Sequence, residues 1–171
     1  MKRKLDKEYQ KMLFIFLPLI SVILIADLLT KYFVNKGMEL GAEKDFIPKI
    51  INLVNVHNSG AAWSIFSGNQ VFLIVFTFIF LVAFGYFYYK ESKNGVLFHI
   101  AGAFIVGGCI GNLVDRLAFG YVRDMIHLEF WSSFPVFNVA DSFVCIGVFL
   151  MILFYIIYAV KSHKKREKIN G

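Results

Sequence analysis

Residues 138–160 read NVADSFVCIGVFLMILFYIIYAV, and from Ser142 to Val160 nineteen positions pass without a charge. About 20 mainly apolar residues let a helix cross a bilayer, so this run is a candidate span. It opens on an acid: Asp141 stands three residues after Asn138, a spacing that fits a helix cap. Capping would explain an aspartate at the mouth of a lipid-facing helix without any chemistry.

Three other stretches have the same character: Met12 to about Phe33, Val71 to Tyr89 and Val96 to Val114. Hydrophobic residues make up 58% of the 171, with twenty phenylalanines, against the 45–50% of soluble domains. The charged 18% is bunched between the apolar runs, as expected when the solvent is a bilayer. The fold class that follows is mainly α and integral to the membrane: four transmembrane helices with a small extracytoplasmic β-rich region and loop. The chain reads as a single domain over residues 1–171. The first span has basic residues before it, like a signal sequence, but it is too long, lacks an A-x-A-like exit and continues into DLLTKYFV; it reads as a retained anchor.

Net charge is +6, and topology explains it. Lys2, Arg3, Lys4, Lys7 and Lys11 precede the first span, and Lys161, Lys164, Lys165, Arg166 and Lys168 follow the last. Lys and Arg favour the cytoplasmic side, which places both tails, 1–11 and 161–171, inside the cell. The link KESKNG, with Lys90 and Lys93, is then inside too. Twelve of the eighteen basic residues fall on that side. Outside lie residues 34–70 and 115–141. Nucleic-acid binding is the disfavoured reading, because these basic residues flank apolar runs instead of alternating with aromatics on one face. Cys109 and Cys145 sit singly in apolar stretches and no H-E-x-x-H occurs, so neither a disulfide nor a metal site has any spacing in its favour.

In the first outer segment IINLVNVHNSG alternates apolar and polar residues and closes on a turn signal, which predicts short strands at the membrane surface. In the second, YVRDMIHLEFW mixes charge with bulk, as an interfacial strand or half-buried loop does.

With this orientation, ionisable residues gather at the outer ends of the spans. Asp27 and Lys31 share a helical face at i, i+4; Asn112, Asp115 and Arg116 are spaced i, i+3, i+4; Asn138 and Asp141 open the last span; Asp124 lies between. A charge at membrane depth is costly unless paired or facing a polar cavity. Asp27 with Lys31 reads equally as a helix-end ion pair or a support to a site. Asp115 beside Arg116 reads as a local pair, and Gly107 with Gly111 as a close-packing G-x-x-x-G. Capping and local pairing leave Asp124 and Asp141 unexplained. Two carboxylates sharing a site do not both ionise easily, so one keeps a proton while the other acts as a base toward water. A transporter relaying ions through carboxylates is the rival from another class, but it calls for acids spread through the membrane's depth, and the inner half here is essentially apolar. A Ser64/Lys31 nucleophile pair has no signal linking its members.

These residues resemble those of the bacterial lipoprotein signal peptidases, or signal peptidase II, membrane aspartic endopeptidases. The resemblance runs in order through DLLTKYFV (27–34), NSGAAWSIF (58–66), GGCIGNLVDR (107–116), VRD (122–124) and FNVADSFVCIG (137–147). It implies removal of the signal peptide from diacylglyceryl-modified prolipoproteins, cut before the lipidated cysteine at the outer face of the cytoplasmic membrane. It further implies Asp124 and Asp141 as the catalytic pair. Asn58, Gly60, Asn112, Arg116, Asn138, Ala140, Asp27 and Lys31 are implied as binding or supporting residues. The expected partners are prolipoproteins and membrane lipids, with no nucleic acid, no metal, no organic cofactor and a monomeric chain. Trp63 and Phe66 are expected to cover the site. Met125, where an aromatic is common in the family, and His127, where an acid is common, depart from the pattern beside Asp124.

Overall fold

The computed structural model describes residues 7–91 and 95–170. Lys2, Arg3 and Lys4 of the basic N-terminal stretch, and Lys93 of the link between the second and third spans, lie outside the described residues.

Four helices dominate: α1 (Lys7–Gly37), α2 (Gln70–Lys90), α3 (Gly95–Phe119) and α4 (Val139–Asn170). Each contains a stretch long and apolar enough to cross a membrane. The expected spans match them, with ends that differ. α1 runs on to Gly37, α3 to Phe119, and α4 begins three residues before Ser142 and continues through much of the basic tail. The longer α3 puts Asp115 and Arg116 inside its last turns. Pro18 interrupts the donor series of α1 without ending the helix, as membrane helices tolerate.

Large side chains point away from the protein along these helices, among them Phe14, Phe76, Phe78, Phe149 and Tyr158. A soluble monomer does not display apolar surface on that scale; lipid covers it here. The interior is built instead from small residues. On α3, Ala101, Gly102, Ala103, Gly107, Gly108 and Gly111 are buried and let neighbours approach closely. A Cβ on Gly107 would stand 3.1 Å from Ile23 of α1, and one on Gly111 would stand 2.7 Å from Asp27 and 3.1 Å from Ala140 of α4. The G-x-x-x-G therefore packs helices, as its spacing predicts, with α3 between α1 and α4.

At one end of the bundle lies a three-stranded antiparallel sheet in the order β1 (Glu43–Ile47), β2 (Ile51–Asn58), β3 (Val122–Leu128). β2 and β3 are the two strand-like segments read in the sequence. β1 is exposed along its whole length and was not separately legible, since EKDFI has no buried face to create an alternation. Val56 pairs with Asp124 and Asn58 with Val122, past a bulge between Leu53 and Val56. The chain after β3 folds back: Met125 and Ile126 donate backbone N–H groups to the Phe137 carbonyl, and the Phe137 N–H returns to Ile126 at 3.0 Å. That tie brings Asn138 against Asp124.

The opposite end is not wholly apolar, in contrast to the expectation from sequence. Tyr88 and His99, both buried, are joined at 2.7 Å between Oη and Nδ1.

Candidate active site

Asn138 precedes the first residue of α4 and caps it. Its Oδ1 accepts the Asp141 N–H at 2.9 Å, while Asp141 Oδ2 accepts the Asn138 N–H at 3.2 Å. This reciprocal box satisfies two donors at a helix start, a device worth about 1 kcal/mol. The capping expectation is thus correct, and it engages only one Asp141 oxygen. Oδ1 accepts from Asn112 Nδ2 at 2.7 Å. The next free donor of the helix start, Ala140 N–H, is taken by Asp27 Oδ1 at 2.9 Å. Ala140 thus serves the site through its backbone.

Asp124 reaches the same place from β3. Asn58 Nδ2 donates to its Oδ2 at 2.8 Å and Asn138 Nδ2 to its Oδ1 at 2.7 Å. Asn138 also donates to Asn112 Oδ1 at 3.0 Å, so two amides, Asn138 and Asn112, link the two carboxyls, while Asn58 holds Asp124 from the other side. Asp124 is 3% exposed. Burial first, then the Asp141 charge, push its carboxyl up to about 7, the outcome expected when two acids share a dry site.

Behind the amides stands Lys31, fully buried. Its ammonium meets Asp27 Oδ2 at 2.7 Å, Asp115 Oδ2 at 3.4 Å and Asn112 Oδ1 at 3.0 Å. Asp27 and Lys31 therefore form an ion pair that also contacts Asn112 and the Ala140 backbone beside the two carboxyls. Among the described residues the partners of the Lys31 ammonium are Asp27, Asp115 and Asn112, and Ser64 is not one of them. By accepting from Lys31 and Asn138, the Asn112 oxygen fixes that amide with its NH₂ toward Asp141.

Asp115 does not pair with Arg116, contrary to the expectation from their adjacency. Successive residues on a helix point apart, and Asp115 turns to Lys31 and to Arg123, whose guanidinium and backbone N–H both bind it. Sequence reading missed Arg123. The only signal was a basic residue next to Asp124 in a strand. Arg116 donates Nη2 to the Gly60 carbonyl at 3.1 Å. Its buried Nε has no acceptor among the described residues. Gly60 is in turn held by Asn58 Oδ1 at 2.9 Å, and a Cβ there would lie 2.8 Å from the backbone of Ser64 and Ile65, so only glycine fits.

Asp124, Asp141, Asn58, Asn112 and Arg116 open onto one cavity of about 700 Å³. Its other walls are mainly apolar: Ala61, Ala62, Trp63, Leu128, Trp131, Phe134, Val136, Phe137, Val144 and Ile146. Trp63 belongs to a tight loop in which Trp63, Ser64 and Phe66 all adopt positive φ, and its ring lies edge-on to Phe134 at 6.1 Å. The expected cover is thus half realised: Trp63 walls the cavity, whereas the Phe66 ring lies tilted against Phe72 at the start of α2. Met125 is buried under the sheet, and His127 binds Glu43 at 2.8 Å. His127, with Asn52, holds the Glu43 carboxyl below the usual range.

Two carboxyls, Asp124 buried and Asp141 half-buried, meet on a mainly apolar cavity at one end of a bundle of four helices long and apolar enough to cross a membrane, which defines the class as a multi-pass membrane protein with a polar site at one end. Comparison with known proteins narrows this. A family model described as signal peptidase (SPase) II matches residues 19–157. The chain is 38% identical over 154 residues to a lipoprotein signal peptidase of Enterococcus faecalis, covering 90% of this chain and 93% of that one. To a lipoprotein signal peptidase of Staphylococcus aureus it is 36% identical over 149 residues, 86% and 90% of the two chains. Two solved structures, each described as a bacterial membrane enzyme studied by the in meso method, superpose on it. The one at 2.3 Å resolution has a TM-score of 0.78 and 34% identity, covering 82% of this chain and 86% of that chain; the one at 1.9 Å has 0.74 and 35%, covering 80% and 89%. The chain belongs to the signal peptidase II family, and it is a multi-pass membrane peptidase.

Proposed function

We propose that the protein removes signal peptides from diacylglyceryl-modified prolipoproteins by an aspartic mechanism, with Asp124 and Asp141 as the reacting pair. The observation that carries this reading is two carboxyls from separate elements, tied by one amide network and opening on one apolar cavity. Asp141, at the N-terminus of α4 where the helix dipole suits an anion, takes a proton from water as the general base. The water attacks the carbonyl before the lipidated cysteine. Asp124, whose raised pKa keeps a proton on it near neutrality, polarises that carbonyl and then assists the leaving amine. The apolar walls of the cavity take the acyl chains, so the lipid need not leave a low-dielectric environment.

The chain acts as one domain over residues 1–171, as a monomer, with its tails in the cytoplasm and the sheet at the outer face of the cytoplasmic membrane. Twelve of its eighteen basic residues on the tail side support that orientation. No residue in the mechanism calls for a metal or an organic cofactor.

The test is incubation of purified protein in detergent with a lipidated prolipoprotein and its unlipidated form, alongside Asp124→Asn and Asp141→Asn. Cleavage of the lipidated substrate alone, abolished by either substitution and insensitive to chelator, is the expected result. Undiminished cleavage by both variants at equal protein level refutes the pair.

A further inference from the structure

Arg123 stands next to Asp124 in β3, and neighbouring strand residues point to opposite faces. While Asp124 faces the cavity, Arg123 turns back to α3. Its backbone N–H donates to Asp115 Oδ2 at 3.0 Å, its Nε to the same oxygen at 3.2 Å, and its Nη2 to Oδ1 at 2.7 Å. The guanidinium lies 4.6 Å over the Phe119 ring. The Asp115 side chain is fully buried and that of Arg123 is 11% exposed. Such a two-pronged arginine clamp is geometrically specific.

Asp115 is shared with Lys31, which also holds Asp27 and Asn112. Behind the carboxyl pair there is thus a cluster of two acids and two cations, neutral as a whole, with arms to both reacting groups. Asp27 holds the first turn of α4 through Ala140 N–H; Asn112 donates to Asp141; Arg123 ties the strand that carries Asp124 to α3.

Resting on the assignment of Asp124 and Asp141 as the reacting pair, we infer that Arg123 is a positioning residue for both carboxyls. It pins β3 to α3 so that Asp124 faces the cavity. By satisfying Asp115 it leaves Lys31 centred on Asp27 and Asn112. Without it Asp115 keeps Lys31, at 3.4 Å, as its remaining ion-pair partner among the described residues, and draws the ammonium off Asn112. The Asn112 amide then loses the contact that directs its NH₂ toward Asp141. The cluster also gains a net negative charge close to the pair. Among the described residues, the charged or titratable groups near the pair or its supports include Asp27 and Lys31 from α1, His57 from β2, Cys109, Asp115 and Arg116 from α3, Arg123 from β3 and Cys145 from α4. Removing one cation from that set favours the protonated forms of both carboxyls, so both limbs of the activity profile move to higher pH.

The test compares Arg123→Met, Arg123→Lys, the double variant Asp115→Asn/Arg123→Met and the control Asp124→Asn, each as full-length protein in detergent with a diacylglyceryl-modified prolipoprotein. Arg123→Met is expected to lower kcat about tenfold or more with KM within about twofold, and to shift both limbs of the kcat/KM profile upward by about half a pH unit or more. Arg123→Lys keeps the charge without the clamp, so it recovers the pH profile and only part of kcat. The double variant is neutral again and returns the profile as well. Should Arg123→Met not accumulate, the Lys and double variants decide. A wild-type kcat in Arg123→Lys, or a shifted profile in the double variant, overturns the inference. So does an unmoved profile in an Arg123→Met protein that accumulates. If Asp124→Asn is inactive and Arg123→Met behaves as wild type, the role of Arg123 alone falls. Full activity of Asp124→Asn removes the assignment of the pair on which it rests.

Discussion

Replacing Gly108 by alanine tests whether helix packing sets the position of Asp141. A methyl group on Gly108 meets the Ala140 carbonyl oxygen in hard overlap and stands 2.6 Å from Val144 Cγ2. Carbon atoms rest about 3.5 Å apart at the closest favourable contact, so α4 must open from α3 by about 1 Å. Val144 can turn its side chain aside, but the Ala140 carbonyl is backbone in the first turn of α4, one residue from Asp141. Overpacking of this kind costs about 1–3 kcal/mol, and a shift of about 1 Å at a reacting group lowers the rate about 100-fold. Gly107 is the internal control. The three atoms nearest a methyl there all belong to the Ile23 side chain, from 3.1 Å, which lies on α1 and away from the cavity. Expected, then, is a Gly108→Ala protein that spans the membrane and unfolds at a modestly lower temperature, with kcat down about two orders of magnitude. Gly107→Ala should stay within a few-fold of wild type. The assay is cleavage of a lipidated prolipoprotein in detergent, read by gel shift, with thermal midpoints measured in parallel. Equal activity of the two alanine variants would refute the claim that this contact positions Asp141.

Asp124, held up to about 7, carries its proton below that pH and loses it above. The doubly ionised pair has no acid left to polarise the carbonyl, so kcat/KM should fall as pH rises through about 7; a basic limb beginning above pH 9 would exclude Asp124 as the acid. The same raised pKa means that the native state binds this proton more tightly than the unfolded chain does. Its contribution to stability is full below about pH 4 and is lost as pH rises through about 7. Asn112→Ala removes the donor to Asp141 and the acceptor for Lys31 and Asn138, and should lower kcat about 100-fold with a much smaller change in KM, measured by initial rates. Trp63→Gly keeps the positive φ of the loop and deletes the cavity wall, so KM should rise while kcat under saturating substrate changes little; an unchanged KM would show that this ring does not meet substrate.

Hydropathy alone determines the four spans, because a 30 Å apolar slab demands long uninterrupted runs and leaves little else for them to be. The small residues of α3 were readable in the same way, since G-x-x-x-G has one main physical use in lipid. The acids were legible as a cluster because charge in an apolar run stands out, and the N-x-x-D spacing disclosed the cap at Asn138. What the one-dimensional order could not provide was partnership across elements. Adjacency paired Asp115 with Arg116, yet helical geometry sends them apart, and only the turn of the chain after Phe119 brings Arg123 onto Asp115. The orientation of the Asn112 amide depends on Lys31, 81 residues away, and the approach of Asn138 to Asp124 depends on a backbone tie between Ile126 and Phe137. Composition and spacing thus determined what kind of solvent surrounds the chain and which residues carry charge within it. Tertiary packing decided which donor faces which oxygen, because hydrogen bonds act over about 3 Å and no spacing in sequence specifies such a distance between separate elements.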